Sequence, residues 1–545
     1  MRSRITYLQH DVSQFNPSQI RVRKDSIELS KLDAAKEHRM TFAFSELPRE
    51  LWLALKQCHE LHVRWVSMTP VQGVGPYVSR MSPGLHVFFS PLSEGTADRL
   101  CPLIKKVFGD GMDCVSPQES FISPPILSER FSASSSLQYY HVTPSLKDLV
   151  AYLKEKICPR SDEKCIRDAA SLLDAKYLDM DYDAISHSLT VTAFWDRACP
   201  NSPWTETHLR RESSETIEIG VLNAEKASEP EEQSLGGFLA VLGQDDEPKP
   251  TLFSFPSRHH ALPSSPIKYR AHFSQPTGLH PTLHLTFSSP PVPPSPITSP
   301  DAEPMSHSCA LHAYLTLPSQ IFLDRYQLSD PLFLSSRNLR SLRSLSGETD
   351  LEAPDWVVSR WGSAALIELA SPADSRLDHG ENKHRQNEWT ASIPLHLRYL
   401  SPRNVSAASN GGRGSVGEWL AGWKNGANAN NTVTTPFPWP PVFWACAADS
   451  GDKFAVNPFD RTNLGYDGLF GRQTVFYHIE PEALDGGSFM GLVNIPVMDT
   501  EWARWVELGT VWAIALGTVW VCWVIGKVVF QNRNRKQMKG DKKHR

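Results

Sequence analysis

No C-x-x-C pair occurs among the nine cysteines of this 545-residue chain, so the spacing signature of a zinc site or a dithiol centre is missing. Positive charge is also scarce. The formal net charge is −5, and outside the last residues no basic patch interleaved with aromatics appears, which sets nucleic acid aside as a partner. The amino-terminal stretch, Met1-Arg-Ser-Arg-Ile-Thr-Tyr-Leu-Gln-His-Asp, has no apolar core and does not read as a cleavable signal peptide. Glycine, at 31 residues, is outnumbered by proline at 42, which argues for a β-rich body with extended connections over a helical bundle.

Long uncharged apolar runs are absent save one, Leu508 to Gly526. As a helix it would cover roughly 28 Å, close to the hydrocarbon thickness of a bilayer. Trp502 and Trp505 at one end, and Trp520 and Trp523 toward the other, suit the two headgroup belts, and Lys527 can snorkel. The expected span is 506–530. After the uncharged run come Lys527, Arg533, Arg535, Lys536, Lys539, Lys542, Lys543 and Arg545 against the single acid Asp541, so the positive-inside rule puts a basic tail, 531–545, in the cytosol and the body in the lumen. Lys542 and Lys543 stand three and four residues from the end, as in a dilysine retrieval signal read by vesicle coats. Gly509, Ala513 and Gly517 recur every four residues and form a small-residue stripe suited to close approach of a partner helix in the membrane.

The lack of a signal peptide conflicts with a lumenal body, because a terminal anchor alone also describes a tail-anchored protein facing the cytosol. Two sequons, at Asn404 and Asn430, permit lumenal glycosylation. With Cys522 in the span, Cys58, Cys101, Cys114, Cys158, Cys165, Cys199, Cys309 and Cys446 form an even set whose pairing the sequence leaves open.

The patterning predicts a mixed α/β amino-terminal region, 1–200, with a helix opening at Pro48, strands over 60–66, 85–89 and 188–195, and an amphipathic helix over 144–157. Residues 201–265, rich in acids and proline, read as a loop-rich extension with short apolar pieces such as Ile217-Glu-Ile-Gly-Val221. Short strands separated by proline-rich turns across 266–505 predict a mainly-β, sandwich-like domain with flexible inserts at 288–306 and 404–435.

Several clusters invite a chemical interpretation. Asp179, Asp181 and Asp183 could hold a divalent cation against phosphates, though their surroundings read as a polar turn. His307, Cys309 and His312 could approach zinc, but a fourth ligand is not evident and a buried cysteine with surface histidines accounts for them better. His259-His260 is a weaker signal still. His396 and Arg398 share one side of their strand by its period of two, either as a partner contact or as a hydrogen-bonded feature of the sheet. An enzyme that takes a lipid-linked sugar and a lipid acceptor needs a cavity opening to the bilayer, which one helix cannot build. The residues therefore predict no catalytic centre, cofactor or metal.

Pro276-Thr-Gly-Leu-His-Pro281, Leu315 to Leu328, Gly347 to Trp356, Ile393-Pro-Leu-His-Leu-Arg-Tyr399 and Pro440-Pro-Val-Phe-Trp-Ala-Cys446 resemble the family of the fungal protease B non-derepressible protein and the PIG-X subunit of glycosylphosphatidylinositol (GPI) mannosyltransferase I. The resemblance implies a lumenal endoplasmic reticulum protein that stabilises a multi-pass catalytic mannosyltransferase subunit, without catalytic residues of its own. Members of this family commonly lack a conventional signal peptide. The alternative is a general lumenal chaperone or cargo adaptor recycled by the dilysine tail.

Overall fold

In the computed structural model, all residues are described except 11–16, 71–75, 78–80, 94–96, 126–135, 198–202, 211–214, 228, 230, 263–266, 276, 295–308, 372–387, 403–431, 449–453, 455–456, 460–464, 484–486, 499 and 542–545. Neighbouring residues of Arg2–Gln9 bury in opposite directions. Tyr7 enters a cluster with Ile27 and Leu29, and Leu8 enters another with Phe194 and Leu222. A strand covered on both faces belongs inside a sheet, and this one lies within ten strands. Their order is Lys249–Pro256, Glu232–Val241, Thr216–Glu225, Arg2–Gln9, Ala34–Ala43, Ser188–Trp195, Tyr177–Asp183, Cys58–Val66, Gly84–Pro91 and Leu137–His141. Arg2–Gln9 runs parallel to Thr216–Glu225, and the other neighbours are antiparallel.

The helix predicted over 144–157 forms as Lys147–Tyr152 followed by a wider turn, Leu153–Ile157. Its Leu149 and Val150 join Leu100, Ile104 and Val107 of Leu100–Phe108 in the core of this sheet. Residues 201–265, expected to be loop-rich, carry five strands, among them Thr216–Glu225 and Glu232–Val241. The period-two burial of Ile217, Ile219 and Val221 in the cluster of Tyr7, Ile27 and Leu29 outweighs the acidic connections around them.

A second sheet follows the path Leu339–Gly347, Gly362–Leu369, Cys309–Pro318, Val442–Ala447, Thr474–Pro481, Lys268–Phe273, Thr282–Phe287 and Trp389–Pro394, with His259–Ala261 alongside Thr474–Pro481. The hairpin read from alternation forms between Lys268–Phe273 and Thr282–Phe287. The mixed amino-terminal region and the mainly-β region thus both appear. Tyr314, Leu366, Phe443 and Phe476 of the second sheet share one core with Val87, Phe89 and Tyr140 of the first. Gln138, on an edge strand of the first sheet, receives Trp361 Nε1–H at its carbonyl and Tyr314 O–H at Oε1, at 2.9 and 3.2 Å.

Three disulfides lie among the described residues: Cys101–Cys114, Cys158–Cys165 and Cys309–Cys446. The last joins residues directly opposite in register across two central strands. Cys199 lies outside the described residues. Cys58 is free and buried, its Sγ directed at the Ala54 carbonyl, and burial pushes its thiol up to about 12.

Contacts divide the chain into two units, Met1–Arg398 with Pro436–Val493, and Tyr399–Thr435 with Asn494–Arg545. The second contains the helix Thr500–Asp541, of which Ala503–Gln531 has mean hydropathy 2.0 and keeps its apolar window unburied. This 29-residue segment is long and apolar enough to cross a membrane.

Candidate partner-binding site

The helical repeat sets the stripe residues four apart on one face, and Gly509, Ala513 and Gly517 are all exposed. A Cβ placed at Gly509 or Gly517 would meet nothing within 4 Å. Backbone on this face is therefore open to close approach. Lys542, Lys543, Asn404 and Asn430 lie outside the described residues.

His396 and Arg398 have internal partners. Arg398 is 2% exposed. Its Nη1 donates to the carbonyls of Asp350 and Ala353, at 2.6 Å each, and its guanidinium lies 4.5 Å from the centre of the Phe322 ring. Burial lowers its pKa, and the fields of Glu348, Asp350 and Asp355 work against that shift. His396 is half-buried, stacks on Phe322, and pairs through Nε2 with Gln327 Oε1 at 3.0 Å. His396 Nδ1 and His280 Nδ1 are 3.0 Å apart, a contact that needs one proton between two rings. Burial, then the neighbouring His280, lowers His396, in keeping with a neutral ring.

The aspartates read as a polar turn sit instead on the strand Tyr177–Asp183, and the turn begins only afterwards. Strand pairing sets Asp179 opposite Arg64, which holds it through Nε and Nη2 at 2.7 and 2.8 Å. His62 lies 3.6 Å from both Asp179 and Asp181. Burial favours a protonated Asp179, but the Arg64 charge and His62 outweigh it and hold the carboxyl well below its usual range. For His62, burial is likewise outweighed by the two aspartates, and its pKa rises. These carboxylates are occupied in a buried ion cluster, which removes the motive for placing a cation there. Asp183 caps the turn, accepting from Ile185 N–H at 2.9 Å.

The zinc alternative loses its thiolate because Cys309 is in a disulfide. His312 is buried, with Nδ1 against the Ala310 carbonyl at 2.9 Å, and burial lowers it to about 4. His307 lies outside the described residues. No group of three or more histidine, cysteine or acidic residues suited to a metal occurs among the described residues.

A polar chain centres on His259, which the sequence offered only as half of a weak histidine pair. Its Nδ1 lies 2.9 Å from His478 Nε2 and its Nε2 lies 3.1 Å from Asp467 Oδ2, all three residues buried. Donation from Nε2 to the carboxylate leaves Nδ1 to accept from His478. Arg258 Nη1 stands 3.9 Å from the same carboxylate, while its Nε and Nη2 donate to the carbonyls of Thr474 and Gly471. The partners lie more than 200 residues from His259, so local sequence carries no sign of them.

A cavity of about 80 Å³ has aromatic walls that include Tyr77, Tyr177, Tyr269, Trp439 and Phe459. Of its two cations, Arg64 holds Asp179 and Lys176 donates to Thr69 Oγ1 at 2.9 Å. Among its described lining residues there is no carboxylate, histidine or cysteine side chain.

The family model described as PIG-X / PBN1 matches residues 276–526. Over nearly the whole chain there is similarity to curated relatives. Protein pbn1 of Emericella nidulans is 48% identical, covering 98% of each chain, and protein pbn1 of Aspergillus oryzae is 43% identical, covering 99% of each. Protein PBN1 of Saccharomyces cerevisiae is 26% identical over 61% of this chain and 63% of its own. Agreement with the family model through the β region and the membrane helix, together with close relatives along both sheets, means that this chain belongs to the PIG-X/PBN1 family.

Proposed function

We propose that this chain is a non-catalytic subunit that stabilises the multi-pass catalytic subunit of GPI mannosyltransferase I, which transfers the first mannose from dolichol-phosphate mannose to the GPI precursor. Its body lies in the lumen of the endoplasmic reticulum and its basic tail in the cytosol, where Lys542 and Lys543 meet the coat machinery. The observation that carries the proposal is the near-full-length similarity to pbn1 proteins, since membership of the PIG-X/PBN1 family supports a role in GPI-anchor biosynthesis. Three disulfides in the body support an oxidising compartment. An exposed apolar helix with open backbone at Gly509 and Gly517 supports a partner within the bilayer.

The mechanism is mass action. A subunit that binds only the folded partner raises the partner's stability in proportion to the logarithm of its own concentration over the dissociation constant. Deleting this chain should lower the abundance of the multi-pass subunit before it alters turnover per remaining enzyme, as measured by immunoblot and mannosyl transfer in microsomes. Equal abundance and activity without the chain would sink the proposal. Glycosidase-sensitive mass at Asn404 or Asn430, and resistance of the body to protease added to sealed microsomes, test the orientation.

A further inference from the structure

The short strand His396–Leu397 and the adjoining Arg398 lie where three loops meet, and each loop is fastened to them differently. Residues 277–281 tie in through Leu397 N–H to the Leu279 carbonyl at 3.1 Å and through the His280–His396 pair. Ile321 and Phe322 pair with Leu397 and His396, and Gln327 beyond them bonds His396. The loop 348–361 hangs on the two carbonyls held by Arg398, while Ser319 Oγ donates to Asp355 Oδ1 at 2.6 Å. That loop leaves and rejoins its strands at Gly347 and Gly362, whose φ values of 106° and 147° disfavour any side chain. A Cβ at Gly362 would also fall 2.0 Å from the Leu317 carbonyl oxygen. The loops are thus set in position from beneath.

Large apolar side chains stand outward on two of these loops and on the helix Pro331–Ser336 that follows one of them: Tyr326 is 63% exposed, Leu332 82%, Trp356 58% and Val357 64%. Large side chains on restrained backbone lose little freedom on binding, and tryptophan and tyrosine are enriched among residues that dominate interface energies. The charge around them is mainly acidic. Residues 323–337 and 348–361 carry Asp324, Asp330, Glu348, Asp350, Glu352 and Asp355 against Arg325, Arg337 and Arg360. Asp324, Asp330 and Asp355 accept from neutral donors, the N–H groups of Tyr326 and Leu332 and the Ser319 hydroxyl, so their charge stays.

We propose that these exposed apolar residues and the acids among them form a second docking surface, where Trp356 and its neighbours enter a slot flanked by cations on a lumenal loop of the multi-pass subunit. The proposal rests on the subunit function above and adds a contact outside the bilayer to the one along the helix. An anionic membrane surface is a poor occupant, because it would face like charge. His396 and Arg398 are positioning residues here: they hold the loops and do not themselves touch the partner.

The test is co-purification of the full-length chain with a tagged multi-pass subunit from detergent-solubilised microsomes. Because Leu332 and Trp356 are exposed, the double variant L332A/W356A should melt at the wild-type temperature yet retain roughly tenfold less partner. Reversing charge with D350K/E352K should also lower retention, and wild-type retention should fall with rising salt. Undiminished retention by both variants overturns the second surface and leaves the subunit function standing. If the wild-type chain itself recovers no stoichiometric multi-pass partner, the subunit function falls and this surface with it.

Discussion

Each of the two large sheets buries an arginine, a histidine and an aspartate together, with opposite arrangements. In the ten-stranded sheet the guanidinium of Arg64 takes Asp179 head on at 2.7 and 2.8 Å, and His62 stands farther off at 3.6 Å. In the nine-stranded sheet the imidazole of His259 takes Asp467 at 3.1 Å, while Arg258 turns to backbone carbonyls and leaves 3.9 Å between opposite charges. The first cluster is an ion pair with a histidine in attendance. The second is a hydrogen-bonded chain in which the arginine acts mainly as a clamp on the turn at Gly471–Thr474. Cutting an ion pair leaves a charge in low dielectric, whereas cutting a hydrogen-bonded chain leaves a dipole, and the two losses differ in size.

Asp179→Ala should therefore cost the most, about 3–5 kcal/mol, read from chemical denaturation of the full-length chain in micelles. R64M/D179L should recover most of that loss, because apolar packing can replace an ion pair once both charges are gone. A double variant no better than the single one would mean that Arg64 and Asp179 are not the pair they appear to be. Next comes the staple of the second sheet. Removing Cys309–Cys446, which closes 137 residues, should cost about 4 kcal/mol, more than removing Cys158–Cys165, which closes 7. Similar losses from the two would show that chain closure does not set the order.

Asp467→Asn should be milder, about 1–3 kcal/mol. A loss as large as that of Asp179→Ala would erase the contrast and mean that Arg258 and Asp467 act as an ion pair despite their 3.9 Å separation. The smallest effect is one of slope. The raised His62 contributes stability that is complete below about pH 6.5 and fades as pH climbs through its folded-state value. Asp179, depressed, contributes above about pH 3.9 and loses that contribution as pH falls through its lowered value. His86, His260 and His312, each lowered to about 4 chiefly by burial, contribute fully above about pH 6.5 and lose it between there and 4. His62→Gln should flatten the alkaline arm of a denaturation-midpoint profile and, because His62 helps hold Asp179 down, weaken the acid arm as well; an unchanged alkaline arm would mean that His62 is neutral in the folded chain.

Elements that carry their own pattern were legible beforehand. The hairpin Lys268–Phe273 and Thr282–Phe287 alternates cleanly, and the membrane helix is apolar throughout its core. Elements whose polar residues are hidden by distant partners were not. Ala34–Ala43 has the composition of an exposed helix, yet its Glu37 is fully buried, bonded by Tyr77 O–H at 2.5 Å, and its Lys36 reaches Glu206, 170 residues away. Asp179 resembled a turn for the same reason, since Arg64 lies 115 residues before it. His396 and Arg398 were read as sharing one side of a strand, but that strand is His396–Leu397 alone, and the carbonyls of Asp350 and Ala353 that turn Arg398 inward cannot be seen from its neighbours.

The unpaired thiol of Cys58 bears on how the bridges are made. With its ionisation pushed up to about 12, only roughly one molecule in 10⁵ carries the thiolate at neutral pH, and the thiolate is the species that attacks a sulfur–sulfur bond. Folded, this cysteine is a spent nucleophile. An oxidant can close the bridges of the body without Cys58 reshuffling them afterwards, so an isomer scrambled by Cys58 must arise before the strand Cys58–Val66 docks.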